Sequence, residues 1–248
     1  VNSAIKESYN LVVKGIDDYK NFISVNSKRF DGVILMSQSN SDNPFIYHLM
    51  EKKMPLVVLN RYIDESSIVN ILSSDKKGVY EAVNYLIQNG HKNIAIIEGK
   101  KGFNSTIERK NGFLDALIDN KIKINSKYIV EGNYTIESGY TAMKKLLSLS
   151  KIPTAVFCSN DEMAIGAMKA TSEAGLNVPK DISIMGFDGM QLGDYLTPAL
   201  TTVRRPISEI SKKGAEKLLD IIENNIDSGE KIYISTELVK RDSVANLK

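Results

Sequence analysis

The feature that most constrains this chain is an alternation. Short runs of β-branched and aliphatic residues recur between longer segments whose apolar positions repeat every three or four residues. A strand buried on both faces shows no polar alternation, and intervening helices supply its cover, so the pattern predicts parallel sheets flanked by helices. Strands are expected at residues 11–13, 32–36, 56–60, 69–73, 94–98, 128–131, 154–158, 182–187 and 232–238, too many for one small sheet. Helices are expected over 76–89, 106–120, 136–149, 161–174 and 206–224. In the first, Val79, Ala82, Val83, Leu86 and Ile87 share a face, with Asp75 placed to cap the start and Gly90 to end it. In the last, Pro206 sits near the first turn, and Ile207, Ile210, Leu218, Ile221 and Ile222 line one side.

Composition narrows the classes. With 248 residues, 42% hydrophobic and 25% charged, the chain is globular, and long enough for one large α/β unit or two compact lobes. Its 32 Lys and Arg against 30 Asp and Glu leave a net charge of +2, too balanced for a domain dedicated to nucleic acid. One cysteine and two histidines exclude a disulfide framework and a His/Cys zinc site, so neither metal nor cofactor is expected. No apolar run approaches the roughly 20 residues needed to cross a bilayer, and no signal-like segment opens the chain at Val1. With Cys158 alone, these features favour a reducing, cytoplasmic setting without membrane contact.

Ligands of open parallel sheets bind beyond the carboxyl ends of the strands, where helix N-termini also gather. Ser37, Asn60, Arg61, Asp75, Asn160, Asp161 and Asp188 each follow a predicted strand, and Arg109 lies early in the helix after Glu98. Asp188, Asn160, Arg109 and Tyr134 together offer what a polyol needs: groups that donate, groups that accept, and an aromatic face. Helix capping is the first explanation for Asp75 and an equal one for Asp161. Gly99-Lys100-Lys101-Gly102 lacks the P-loop spacing and reads as a solvated loop, while His91 reads as a locally bonded helix-end residue. Cys158, Met163 and Met168 read as packing. No nucleophile or metal-ligand motif supports an enzyme.

Several segments together resemble the effector-binding core of the lactose-repressor (LacI/GalR) family of bacterial transcription regulators. They are Asn89-Gly90-His91-Lys92-Asn93-Ile94-Ala95, Glu108-Arg109-Lys110-Asn111-Gly112-Phe113, Glu131-Gly132-Asn133-Tyr134, Ser159-Asn160-Asp161-Glu162-Met163-Ala164, Asp181-Ile182-Ser183-Ile184-Met185-Gly186-Phe187-Asp188 and Thr201-Thr202-Val203-Arg204-Arg205-Pro206. The likeness runs from about Phe30 onward. It implies a type I periplasmic-binding-protein-like fold: two doubly wound parallel-sheet lobes joined by three crossings, with a ligand cleft between them. Carried over, the lobes would be residues 1–90 plus 203–230 and 91–202 plus 231–248. The resemblance implies that Arg109 and Asp188 bind ligand hydroxyls, that Asn160 assists, and that Tyr134 sets a ring against the ligand. Asp75 would lie at the lobe interface.

Asn60 stands where the family commonly has Asp, Gly189 follows Asp188 where a second Asp is common, and the segment 15–29 is short for the family. Residues 1–8 read as the end of a helix, so a first strand, a hinge helix and a DNA-binding helix-turn-helix are expected upstream. The expected function is ligand sensing and dimerisation in a LacI-type regulator, in keeping with a repressor. Its small-molecule effector is expected to be a sugar, with a purine as the other candidate, and the headpieces of a homodimer would bind operator DNA. The rival is an exported sugar-binding protein serving a transporter, which shares the two-lobe architecture.

Overall fold

In a computed structural model the structure describes residues 9–15, 29–224 and 228–248. Its elements alternate as the sequence predicts, and the chain divides into two compact units: residues 1–73 with 206–234, and 74–205 with 235–248.

The first unit holds a four-stranded parallel sheet ordered β1 (Val33–Met36), β2 (Leu56–Leu59), β3 (Val69–Ser73), β9 (Lys231–Ile234). Helix α1 (Asn43–Glu51) buries Phe45, Ile46 and Leu49 against one face, with Leu56 and Val58. Helix α6 (Ile207–Asn224) packs Ile210, Leu218 and Ile221 against the other, with Val57, Leu59, Val69 and Ile71. Neighbouring strand residues thus serve opposite faces.

The second unit holds a six-stranded sheet ordered β10 (Glu237–Val239), β8 (Thr201–Arg204), β7 (Ser183–Asp188), β6 (Ala155–Cys158), β4 (Ile94–Glu98), β5 (Ile129–Glu131), parallel except for the β10–β8 edge. Ile94, Ile96, Ala155, Phe157 and Met185 face helices α2 (Asp75–Gln88) and α3 (Asn104–Asp119). Ala95, Ile97, Val156, Cys158 and Ile184 face α4 (Ile136–Leu147) and α5 (Asp161–Glu173). Close approach is built in by glycine. A Cβ on Gly139 of α4 would lie 2.2 Å from the Met163 carbonyl oxygen, and one on Gly166 of α5 would lie 2.0 Å from that of Ile136.

Several expectations are corrected. Residues 11–13 join no strand ladder and are largely exposed; three apolar residues do not make a strand without a partner. Residues 232–238 do not form one strand, because Lys231–Ile234 completes the first sheet and Glu237–Val239 pairs antiparallel with β8 in the second. The strand at Thr201–Arg204 and the helix Asn43–Glu51 were not expected. The unit boundaries fall at 73/74, 205/206 and 234/235 rather than near 90, 202 and 230. Val79, Ala82, Val83 and Leu86 of α2 share a core with Phe113, Phe157 and Phe187, which places that helix in the second unit. The helix expected at residues 1–8 and most of the segment 15–29 lie outside the described residues.

Candidate functional site

Beyond the carboxyl ends of the second unit's strands, the chain gathers charge. Asp75 begins α2 but does not cap it: Ser74 holds the N-cap position, and the Asp75 carboxylate turns instead to α3, where Arg109 Nε donates to its Oδ2 at 2.8 Å. Arg109 is only 3% exposed. Its Nη1 donates to the Ser159 carbonyl, its Nη2 lies 3.5 Å from Asp188 Oδ1, and its guanidinium lies 3.9 Å from the Phe187 ring centroid. Arg205, just past β8, adds a second cation, with Nε 3.9 Å from Asp75 Oδ1 and Nη1 3.9 Å from Asp188 Oδ1.

Burial opposes the charge of Arg109, yet Asp75 and Asp188, followed by Tyr134, overcome that cost and hold its pKa above the ordinary value. For Asp188 burial prevails. Its pKa is raised even though Arg109 and Arg205 pull it down, with Asp75 and Glu162 adding repulsion. Two acceptors here are buried without a hydrogen-bond partner, Asp75 Oδ1 and Ser159 Oγ. An unpaired buried acceptor costs about 1–3 kcal/mol, so both are suited to a ligand that donates hydrogen bonds.

Tyr134 is 5.8 Å, centroid to guanidinium carbon, from Arg109, at φ +63° just before α4. Its hydroxyl meets Ser105 Oγ at 2.9 Å and Thr106 Oγ1 at 2.8 Å. Its ring rests on Gly99, where a Cβ would lie 2.0 Å from the ring, so this glycine gives clearance for an aromatic. Asn160 does cap its helix, accepting from Met163 N–H at 2.9 Å, and its amide donates to the Tyr134 carbonyl at 3.0 Å. The close α4–α5 approach thus brings Tyr134 and Asn160 together, with one Asn160 N–H left over.

The structure therefore joins Asp75, Arg109 and Asp188 in one ionic cluster, with Tyr134 beside it and Asn160 behind Tyr134. Arg205, Ser159 and Phe187 were missed by sequence reasoning, as were Ser105 and Thr106. Arg205 carried a usable signal, a basic residue directly after a strand, but its threonine-rich strand was itself not foreseen.

Other candidates are tied into local hydrogen bonds or the core. In the first unit Arg61 is buried, its pKa lowered by desolvation against the pull of Asp42 and Tyr47. It donates to Ser37 Oγ at 2.8 Å, Asn40 Oδ1 at 2.8 Å and Asn43 Oδ1 at 2.7 Å. His91 contacts Thr154 Oγ1 at 3.1 Å, Ser183 Oγ at 3.1 Å and the Ala245 carbonyl at 3.2 Å, tying the C-terminal segment to the sheet. Cys158 is fully buried, and burial, with the charge of Asp161, pushes its thiol up. Among the described residues no group of three His, Cys, Asp or Glu side chains is placed to hold a metal ion, and no helix is long and apolar enough to cross a membrane.

Comparison with known proteins agrees with this architecture. A family model described as "periplasmic binding protein-like domain" matches residues 83–244. Over 247 residues the chain is 57% identical to the "Probable HTH-type transcriptional repressor ExuR" of Bacillus subtilis (strain 168), covering 100% of this chain and 74% of that protein. It is 36% identical to the HTH-type transcriptional repressor PurR of Proteus mirabilis (strain HI4320), covering 99% and 74%. Among solved structures, a LacI family transcriptional regulator from Enterococcus faecium with bound ribose superposes with a TM-score of 0.82 at 27% identity, covering 93% of this chain and 84% of that one. With repressors as relatives and regulators as structural neighbours, the chain belongs to the LacI/GalR family of transcription regulators, of which it forms the effector-binding core.

Proposed function

We propose that this core binds a sugar through Arg109, Asp75 and Asp188, with Tyr134 offering its ring and Asn160 holding Tyr134 in place. The observation that carries the reading is the buried Arg109 between two carboxylates, beside acceptors that have no hydrogen-bond partner. Sugar hydroxyls both donate and accept, so they can satisfy Asp75 Oδ1 and Ser159 Oγ and still accept from Arg109. The ribose bound by the Enterococcus faecium regulator favours a sugar. A purine is the second candidate, because the Tyr134 ring suits any flat ligand.

The site acts by binding, not turnover, in a cytoplasmic protein. A sugar can alter DNA binding by an upstream headpiece only as far as it favours one arrangement of the regulator over another. The working form is a homodimer; Met190, Leu192 and Tyr195, the last 75% exposed, supply an apolar patch suited to self-association.

A thermal-shift panel of D-ribose, D-glucose, cellobiose, glucose 6-phosphate and adenine tests ligand class, since a ligand of the native state raises the melting midpoint. Calorimetry with the compound that raises it most should show Asp188→Asn weakening binding by about tenfold or more, the worth of a hydrogen bond to a charged group. Undiminished affinity in both Asp188→Asn and Arg109→Lys would refute the site. Sedimentation of Tyr195→Asp should show the dimer weakened.

A further inference from the structure

Directly beyond β7 the backbone makes an unusual turn. Asp188 has φ +112° and Gly189 has φ +73°, two consecutive residues on the side of conformational space that L side chains rarely occupy. Gly189 meets that demand as glycine, and has no room for anything else: a Cβ there would lie 2.7 Å from the Arg204 backbone. Asp188 is not glycine, so something outside the turn must hold it.

Asp161 is placed to do so. Its carboxylate is 1% exposed at the first position of α5, yet it makes no cap for that helix, a task Asn160 already performs. One oxygen accepts from Thr202 Oγ1 on β8 at 2.5 Å, and the other accepts from Met190 N–H at 2.6 Å. Gly186, two residues before Asp188, leaves space for the carboxylate: a Cβ there would lie 2.2 Å from Asp161 Oδ1. The carboxylate therefore spans β8 and the far end of the turn. Burial pushes Asp161 up to about 6, against the hydrogen bonds from Thr202 and the Met190 and Gly189 backbone, so the group is kept in a costly position.

We infer that Asp161 is a positioning residue for effector binding: anchored on Thr202, it clamps the Met190 amide, fixes the strained turn and so aims the Asp188 carboxylate. This rests on the reading of Asp188 as a ligand residue.

Hydrogen exchange on the full chain tests the clamp without any ligand. In Asp161→Ala, exchange at the Met190 amide should rise about tenfold or more, the loss of a hydrogen bond to a charged acceptor, while the α5 amides from Ala164 to Ala170 hold theirs. Asp161→Asn, which can accept from Met190 and donate to the Thr202 hydroxyl, should restore most of the protection. Unchanged exchange at Met190 in Asp161→Ala overturns the proposal.

Calorimetry with the panel compound of highest thermal shift tests the aim. Asp161→Ala should weaken binding by about tenfold in the otherwise unaltered chain. In an Asp188→Gly background, where the carboxylate is gone and glycine accepts the positive φ without strain, the further loss should be under about twofold. Equal losses in both backgrounds overturn it. Should Asp161→Ala fail to fold, Thr202→Val removes one anchor at nearly constant volume and serves the same comparisons. If Asp188→Gly leaves affinity unchanged, or no panel compound binds, the reading of the site fails, while the exchange experiment still judges the clamp.

Discussion

Each unit buries one arginine near the carboxyl ends of its strands, and the two are held in opposite ways. In the first unit the three nitrogens of Arg61 donate to a serine and two asparagines, all neutral and all from the loop and helix start that follow β1. In the second, Arg109 faces two carboxylates and a carbonyl drawn from α2, β7 and the end of β6. The first arrangement fastens a loop. The second holds separate elements around acceptors that are not fully used, an arrangement that suits the sugar site proposed above.

The comparison is broken most directly by removing each cation. Arg109→Met leaves the buried Asp75 and the partly exposed Asp188 with only the more distant Arg205, and breaking a buried ion pair costs about 3–5 kcal/mol. Arg61→Met takes its donors from neutral acceptors, reaching the Asp42 carboxylate only through Ser37, for about 1–3 kcal/mol. Urea denaturation should rank the two in that order; equal losses would erase the distinction between fastener and site.

Helix packing gives the next largest contrast. Gly166→Ala in the second unit drives a methyl into the Ile136 carbonyl of the facing helix, and overpacking of that kind costs about 1–3 kcal/mol. Gly214→Ala in the first unit meets only the Leu59 side chain at 3.0 Å. Side chains yield more readily than backbone, and alanine is the better helix former, so its stability should stay within about 1 kcal/mol of the parent.

How far the sequence could foresee this follows from the same physics. Aliphatic runs such as Leu56–Leu59 and Ile94–Glu98 declare themselves, because burial on both faces leaves no polar position. Thr201–Arg204 does not, since two of its four residues are threonines whose hydroxyls are buried with partners distant in sequence, the Arg241 amide and Asp161. At the site, Asp75 and Asp188 could be chosen because each follows a predicted strand, and Arg109 because it lies early in the helix after one. Their pairing could not, because Asp75 reads first as a helix cap until its carboxylate is seen turned to α3. The unit division falls at 73/74 and not near 90 for a related reason: local periodicity defines a helix but not which sheet it covers.

Acid sharpens the picture of the second unit, because two buried groups there titrate with opposite sign. The folded-state pKa of His91 is lowered, by burial first, below the ordinary 6.5. The unfolded chain therefore takes up that proton first, and stability falls as pH drops below 6.5. Asp161, pushed up to about 6, takes up its proton in the folded state before the unfolded carboxyl does at its ordinary 3.8, so it adds stability as pH falls from about 6 towards 4. Thermal melts across this range should show a flatter acid loss in His91→Gln and a steeper one in Asp161→Asn.

The smallest effect concerns two tyrosine hydroxyls. That of Tyr62 in the first unit donates to Asp64 at the exposed surface, at 2.6 Å, and Tyr62→Phe should change stability by no more than about 0.5 kcal/mol. That of Tyr134 is shared by Ser105 and Thr106, the latter also donating to the Lys100 carbonyl at 2.8 Å. Tyr134→Phe should therefore cost about 0.5–1.5 kcal/mol in melting experiments. The ring stays seated on Gly99, so if its face is what meets the effector, affinity in calorimetry should remain within about threefold of the parent, a change of under 1 kcal/mol. A loss beyond about tenfold would instead make the hydroxyl the contact, and would move the recognition surface from the ring to the Ser105–Thr106 edge.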